Sequence, residues 1–180
     1  MNAPVEPLMT AEEFATQNRD NLELVRGRMQ PTHPTGGRVG FICANVCFEF
    51  ANAIEHSRTW VACSNDTFVL TGRDPDSVRG GDLVIWRRDA IPKPMPDLIL
   101  TPPEIVVEVR GPLDSIAEML CKATEYVTAG VKVVLVLDPD HKTAGLFSAD
   151  QLPRRFGPSD ALTLPDVLPG FSVEVKKFFE

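Results

Sequence analysis

Apolar residues recur along the chain with two periods, and their alternation sketches a mixed α/β protein. From Arg38 to Glu55, Val39, Ile42, Cys43, Val46, Cys47, Phe50 and Ile54 fall at helical spacing, which predicts a long amphipathic helix. Thr10 to Gln17 predicts a short helix, with Thr10 as N-cap and Glu13 three positions on to complete a capping box. Ser115 to Thr128 predicts a third, capped by Asp114 or Ser115 and stopped by Gly130. Strand patterns cover Leu22 to Met29 (with Gly27 as a turn or bulge), Trp60 to Cys63, Thr67 to Leu70, Asp82 to Trp86, Glu104 to Val109, Lys132 to Leu137 and Ala144 to Phe147. Pro31 to Gly37 reads as loop, Thr71 to Gly80 as a hairpin loop or wider connection, and Arg87 to Pro103 as a Pro-rich loop. The residues from Phe147 to Asp160 read as turn-rich, followed by a Leu-Pro-Gly-Phe segment at Leu168 to Phe171 and a short helix over Glu174 to Phe179.

The expected class is α+β or α/β, a mixed central sheet flanked by helices, with residues 1–180 forming a single domain. Glu104 to Leu137 is a strand–helix–strand unit, and Lys132 to Leu137 is apolar enough to be covered on both faces. If its two strands are parallel neighbours, the crossover between them should be right-handed. At 180 residues, 43% apolar and 24% charged, the chain has the means to bury a core. Eighteen basic against 25 acidic residues give a net charge of −7, which argues against a protein that coats nucleic acid generally. It leaves room for a local basic surface. No apolar run approaches the roughly 20 residues of a membrane span, and the N-terminus carries no leader pattern. A cytoplasmic location and no membrane partner are the expectation.

One stretch conflicts with its own pattern. In Glu104-Ile105-Val106-Val107-Glu108-Val109-Arg110, Ile105, Val107 and Val109 share one face, while Glu104, Val106, Glu108 and Arg110 share the other. A mid-strand carboxylate between valines is costly unless a cation or hydrogen-bond donors meet it. Glu108 is therefore either paired inside the fold or turned toward a metal. Asp82, directly after Gly80-Gly81, and Lys122, on the following helix, complete a candidate set. Two carboxylates on neighbouring strands suffice for Mg²⁺, which keeps several waters, and a nearby ammonium can orient an activated water. On the residues alone, structural charge pairing is the favoured account of the same three.

The ordered set Met9-Thr10-Ala11-Glu12-Glu13-Phe14, Leu22-Glu23-Leu24-Val25-Arg26-Gly27-Arg28, Gly81-Asp82-Leu83-Val84-Ile85 and Ile105-Val106-Val107-Glu108-Val109 resembles the Uma-type putative restriction endonuclease family. The resemblance continues through Lys122, Tyr126, Ala129-Gly130-Val131, Leu137-Asp138-Pro139 and Leu168-Pro169-Gly170-Phe171. That family lies within the PD-(D/E)XK nuclease superfamily. The resemblance implies a metal-dependent endonuclease, using Mg²⁺ or Mn²⁺, that hydrolyses phosphodiester bonds of nucleic acid, DNA first. Asp82 matches its metal-binding Asp, Glu108 its second acid, Lys122 a lysine displaced onto the helix, and Glu23 an early acid able to approach the metal. A backbone carbonyl near Val109 completes the implied ligand set. The chain departs from the family pattern at Gly81, where Pro is usual, at Arg26-Gly27-Arg28 for Asp-Gly-Glu, at Gly111-Pro112-Leu113 for Ser-Pro-Ser, and at Ser115-Ile116-Ala117-Glu118 for a basic helix start. Two residues after Glu108, where the superfamily has Lys, stands Arg110, which either contacts a phosphate or neutralises Glu108.

Arg73, Arg79, Arg87 and Arg88 bracket the Asp82 strand, either lining a path for a phosphodiester backbone or balancing Asp74, Asp76 and Asp89. Cys43 and Cys47, one turn apart, fit an apolar helix stripe better than a zinc site, and no disulfide is expected. His33, His56 and His141 read as surface residues, and Trp60 and Trp86 as core anchors. No nucleophile elbow or Gly-rich phosphate loop is present in the sequence. The rival function is a non-catalytic nuclease-fold protein that binds nucleic acid or a protein. A homodimer would suit the cutting of both strands of a duplex.

Overall fold

The computed structural model describes residues 7–17, 21–34 and 36–180. Residues 1–6, read above for a leader, lie outside them, as does residue 35 of the loop before the long helix.

The three expected helices form. α1 (Ala11–Ala15) starts from Thr10 with both halves of the capping box made. α2 (Gly37–Ile54) buries Val39, Ile42, Val46, Phe50 and Ile54. α3 (Ile116–Thr128) takes Ser115 as N-cap, with Glu118 closing a second capping box. It ends before Gly130, whose φ of 102° is the left-handed value that favours glycine at a helix end.

The strands extend beyond their sequence pattern. Leu22 to Met29 is a hairpin, β1 (Leu22–Val25) and β2 (Arg28–Pro31), turned at Arg26-Gly27 with both φ values positive. The two patterns from Trp60 to Leu70 are one strand, β3 (Trp60–Gly72). Its partner β4 (Ser77–Arg87) begins five residues before Asp82, so Asp82 lies inside a strand and does not open one. Gly80-Gly81 hid that half of β4, since glycine weakens any strand signal. After β5 (Ile105–Val109), β6 (Val133–Asp138) and β7 (Thr143–Ser148) come β8 (Gln151–Phe156), a strand where turns were expected, and β9 (Ala161–Leu164). β8 contains Pro153 and is almost wholly exposed, as an edge strand can be. β10 (Leu168–Glu174) leads into a 3₁₀ turn over Val175–Phe178.

The class is a mixed α+β fold. Eight strands form one sheet in the order β2-β1-β4-β5-β6-β7-β8, with β3 also on β4, while β9 and β10 pair separately. β5 and β6 are parallel and every other neighbouring pair is antiparallel. One apolar layer joins α2, β10 and the C-terminal turn to the sheet. A second gathers Val84, Trp86, Val106, Ala123 and Tyr126, and so holds α3 against the sheet. Trp86 is fully buried and donates its indole N–H to the Thr101 carbonyl at 2.9 Å, the polar partner that a buried Trp needs. No helix among the described residues is long and apolar enough to cross a membrane.

Candidate active site at the sheet seam

β4 lies along β3 on one edge, but its other edge is shared. β1 meets it at Val78, and β5 joins only from Leu83 onward. Between them, no described strand pairs with Arg79, Gly80, Gly81 and Asp82 on that edge. The backbone groups exposed at this seam need partners. Side chains supply them. Gly80 N–H donates to Glu23 Oε1 at 3.0 Å, and the Gly80 carbonyl accepts from Lys122 Nζ at 3.0 Å, with Tyr126 Oη 3.2 Å away. Just past the last β4–β5 pair, Val109 N–H donates to Asp82 Oδ2 at 2.7 Å. Opposite Asp82, β3 carries one extra residue, so Asn65 and Asp66 bulge there with φ of 72° and 54°.

Lys122 is the hub. Its three ammonium protons have three acceptors: Gly80 O, Glu108 Oε2 at 3.0 Å and Glu23 Oε1 at 3.1 Å. Tyr126, one turn further along α3, donates to Glu108 Oε1 at 2.7 Å. Glu23 Oε2 takes Arg79 Nη1 at 2.9 Å, and Arg79 turns its other two nitrogens to Glu125 at 2.8 and 2.9 Å. The seam is therefore a closed set of ion pairs bordering a cleft of about 520 Å³.

Burial pushes the Glu108 carboxyl up to about 7, and the Asp82 charge adds to this against Lys122 and Tyr126. Burial also raises Asp82, with Asp66 adding and Val109 N–H and Lys122 opposing. Lys122 is raised despite burial, because Glu108 and Glu23 favour its charged form. A carboxyl held above its unfolded value binds more protons when folded. Its stabilisation is complete below pH 4.5 and lost as pH rises through 7. Wild type should thus lose about 2–3 kcal/mol from this group between those limits. Glu108→Gln should lack that part of the slope in urea midpoints measured from pH 4.5 to 8, and an unchanged slope would refute the assignment.

The structure brings Asp82, Glu108, Lys122 and Glu23 to one cleft. Glu23 serves Lys122, Arg79 and the Gly80 amide. Arg110 does not neutralise Glu108. It lies 2.8 Å from Asp138, bonds Asp140 as well, and is held to the end of β6. The bracketing arginines mostly balance nearby charge: Arg73 pairs Glu12 and Asp76, Arg87 pairs Asp89, and Arg88 holds the Arg58 and Trp60 carbonyls. Tyr126, Glu125 and Asp66 were not singled out for the site from sequence. Only Tyr126 had a usable signal, its place four residues after Lys122 on one helix face. Gly81 has a steric reason: a Cβ there would lie 2.7 Å from Val84 Cγ2 and 3.3 Å from Val106 Cγ1. Gly81→Ala should cost about 1–3 kcal/mol in a denaturation midpoint, as overpacking does; a neutral result would mean the seam yields.

Among the described residues, no three His, Cys, Asp or Glu gather as a ready metal-ligand set. Asp82 and Glu108 line the same cleft, and the charge of Asp82 reaches Glu108. The Val109 carbonyl shares the seam edge, because N–H and C=O of one strand residue point the same way. Two carboxylates and a carbonyl are hard donors that fit Mg²⁺ or Mn²⁺ with waters retained. Cys43 beside Asp82 is a poor ligand, since burial and the Asp82 charge push its thiol up and keep it neutral.

Comparisons with known proteins agree with this architecture. A crystal structure described as a putative nuclease belonging to DUF820, from Anabaena variabilis, superposes with a TM-score of 0.84 at 17% identity, covering 95% of this chain and 97% of that one. No curated protein matches the sequence. The sequence profile of Uma2, described as a putative restriction endonuclease, matches residues 10–176, nearly the whole chain. The chain therefore belongs to the Uma2 family of putative restriction endonucleases.

Proposed function

We propose that the cleft hydrolyses phosphodiester bonds of nucleic acid, DNA first, in a reaction that depends on Mg²⁺ or Mn²⁺. The observation that carries this reading is the placement of Asp82 and Glu108 in one cleft beside the charged Lys122, at a seam where β4 and β5 stop pairing. Six carboxylates line the cleft, against Arg79 and Lys122, which are both already paired. A phosphate backbone meets repulsion there unless a divalent cation intervenes. Asp82, Glu108 and the Val109 carbonyl are the groups to hold that cation. When bound, it polarises a phosphoryl oxygen and makes water a stronger nucleophile. Lys122 keeps its proton, held by Glu23 and the Gly80 carbonyl, and sets a fixed positive charge beside Glu108, where it offsets charge on the phosphate. Tyr126 fixes the other oxygen of Glu108.

The test is plasmid nicking by the wild-type chain with Mg²⁺, Mn²⁺ or EDTA, beside Asp82→Ala. Nicking that needs the metal and Asp82 supports the proposal; activity equal in the two proteins, or absent with every metal, overturns it. One observation favours a second reading, a nuclease-fold protein that binds without cutting: every proton of Lys122 is engaged within the protein. Calorimetry separates the two, since a binding module has no Mn²⁺ site that Asp82→Ala removes.

A further inference from the structure

α2 has an unusual outer face. A helix laid on a sheet normally turns charge to solvent. Over Gly37–Ile54, α2 has only two charged residues, Arg38 and Glu49. Opposite its buried stripe lie Phe41, Ala44, Phe48 and Ala51, all exposed, with Phe41 at 52% and Phe48 at 63%. These four follow a heptad spacing of three, four and three residues, with large and small side chains alternating. Among the described residues, no other element covers them; α2 packs on the sheet and the C-terminal turn.

We infer that this face is a two-fold interface on which α2 packs antiparallel against α2 of a second copy of the chain. An isologous contact requires a surface complementary to itself, and this stripe meets that condition about one axis. With the axis beside residue 46, Phe41 faces the partner's Ala51 and Ala44 faces the partner's Phe48, so each ring enters the space above a methyl group. The same axis, within half a residue, sets Arg38 against the partner's Glu55. Both residues are exposed; Arg38 pairs Asp140 of its own chain at 2.9 Å and bonds the Pro139 carbonyl, so in the pair its guanidinium would be shared between Asp140 and the partner's Glu55 at each end. Antiparallel packing also sets the positive N-terminus of each helix beside the negative C-terminus of the other. Three pairings from one axis favour a second copy over an unrelated partner. The inference is independent of the nuclease reading, because it concerns assembly alone.

Sedimentation of the full chain over a concentration series tests it. Wild type should sediment as a dimer that dissociates on dilution. Phe48→Arg should weaken it at least about thirtyfold in Kd, as loss of a central aromatic anchor does, with the thermal midpoint of the dilute monomer unchanged. Arg38→Glu and Glu55→Arg should each weaken the dimer, and the double variant should recover part of the loss. A wild type that stays monomeric, a dimer indifferent to Phe48→Arg, or charge reversals that never compensate would each overturn the inference.

Discussion

Replacing Lys122 with methionine should destabilise the protein by about 3–5 kcal/mol, the usual loss when one member of a buried ion pair is removed. Methionine keeps most of the aliphatic stem, so the effect isolates the ammonium. Its removal strands three acceptors at once: the Glu108 and Glu23 carboxylates and the Gly80 carbonyl. Glu108 retains Tyr126, and Glu23 retains Arg79 and the Gly80 amide, so the loss should stay within that range. Its pH dependence is diagnostic. Without Lys122 the already raised Glu108 carboxyl protonates more readily, so the variant should lose less stability at pH 5 than at pH 8. Urea midpoints at both values measure this, with far-UV circular dichroism as the check on fold. A loss below about 1 kcal/mol at pH 8 would mean that the ammonium sits in water, as an exposed pair does.

Asp82→Ala should reduce metal-dependent nicking by at least about a thousandfold, or about 4 kcal/mol of transition-state stabilisation. The size follows from the small number of hard oxygens available. With Asp82 gone, Glu108 is the one carboxylate left among the three groups assigned to the cation, and it is already bound by Lys122 and Tyr126. The variant also leaves Val109 N–H without its acceptor, which costs about 1–3 kcal/mol of stability. Asp82→Asn separates the two effects, since its amide oxygen can still accept from Val109 N–H while the charge is lost. Asparagine should restore most of the stability and little of the activity. An active Asp82→Asn would show that the carboxylate serves the seam alone.

Where the sequence was legible, the controlling physics was local. The capping boxes at Thr10/Glu13 and Ser115/Glu118, the apolar stripe of α2 and the buried run of β6 each depend on residues within a turn or two. Where it misled, tertiary pairing outweighed local propensity. Gly80-Gly81 reads as a break, yet β3 pairs with it throughout. Asn65-Asp66 separates two strand patterns in the sequence and is a bulge within one long strand. Pro153-Arg154-Arg155 reads as loop and is an edge strand zipped to β7. In each case the partner strand supplies hydrogen bonds that no local pattern records.

The sequence by itself determined which groups could carry the chemistry. A carboxylate between valines at Glu108 must be met by something, and Asp82 and Lys122 stood at spacings able to reach it. Only the tertiary structure decided what meets it and what does not. Lys122 and Tyr126 arrive from α3, and Glu23 comes from β1 to hold Lys122 in place. Arg110, two residues away in sequence, leaves for Asp138 and Asp140 at the end of β6. The reason is geometric. A strand fixes the edge and face of each residue, but the partner of a long charged side chain depends on which element the fold brings alongside, and that is set by contacts distant in sequence.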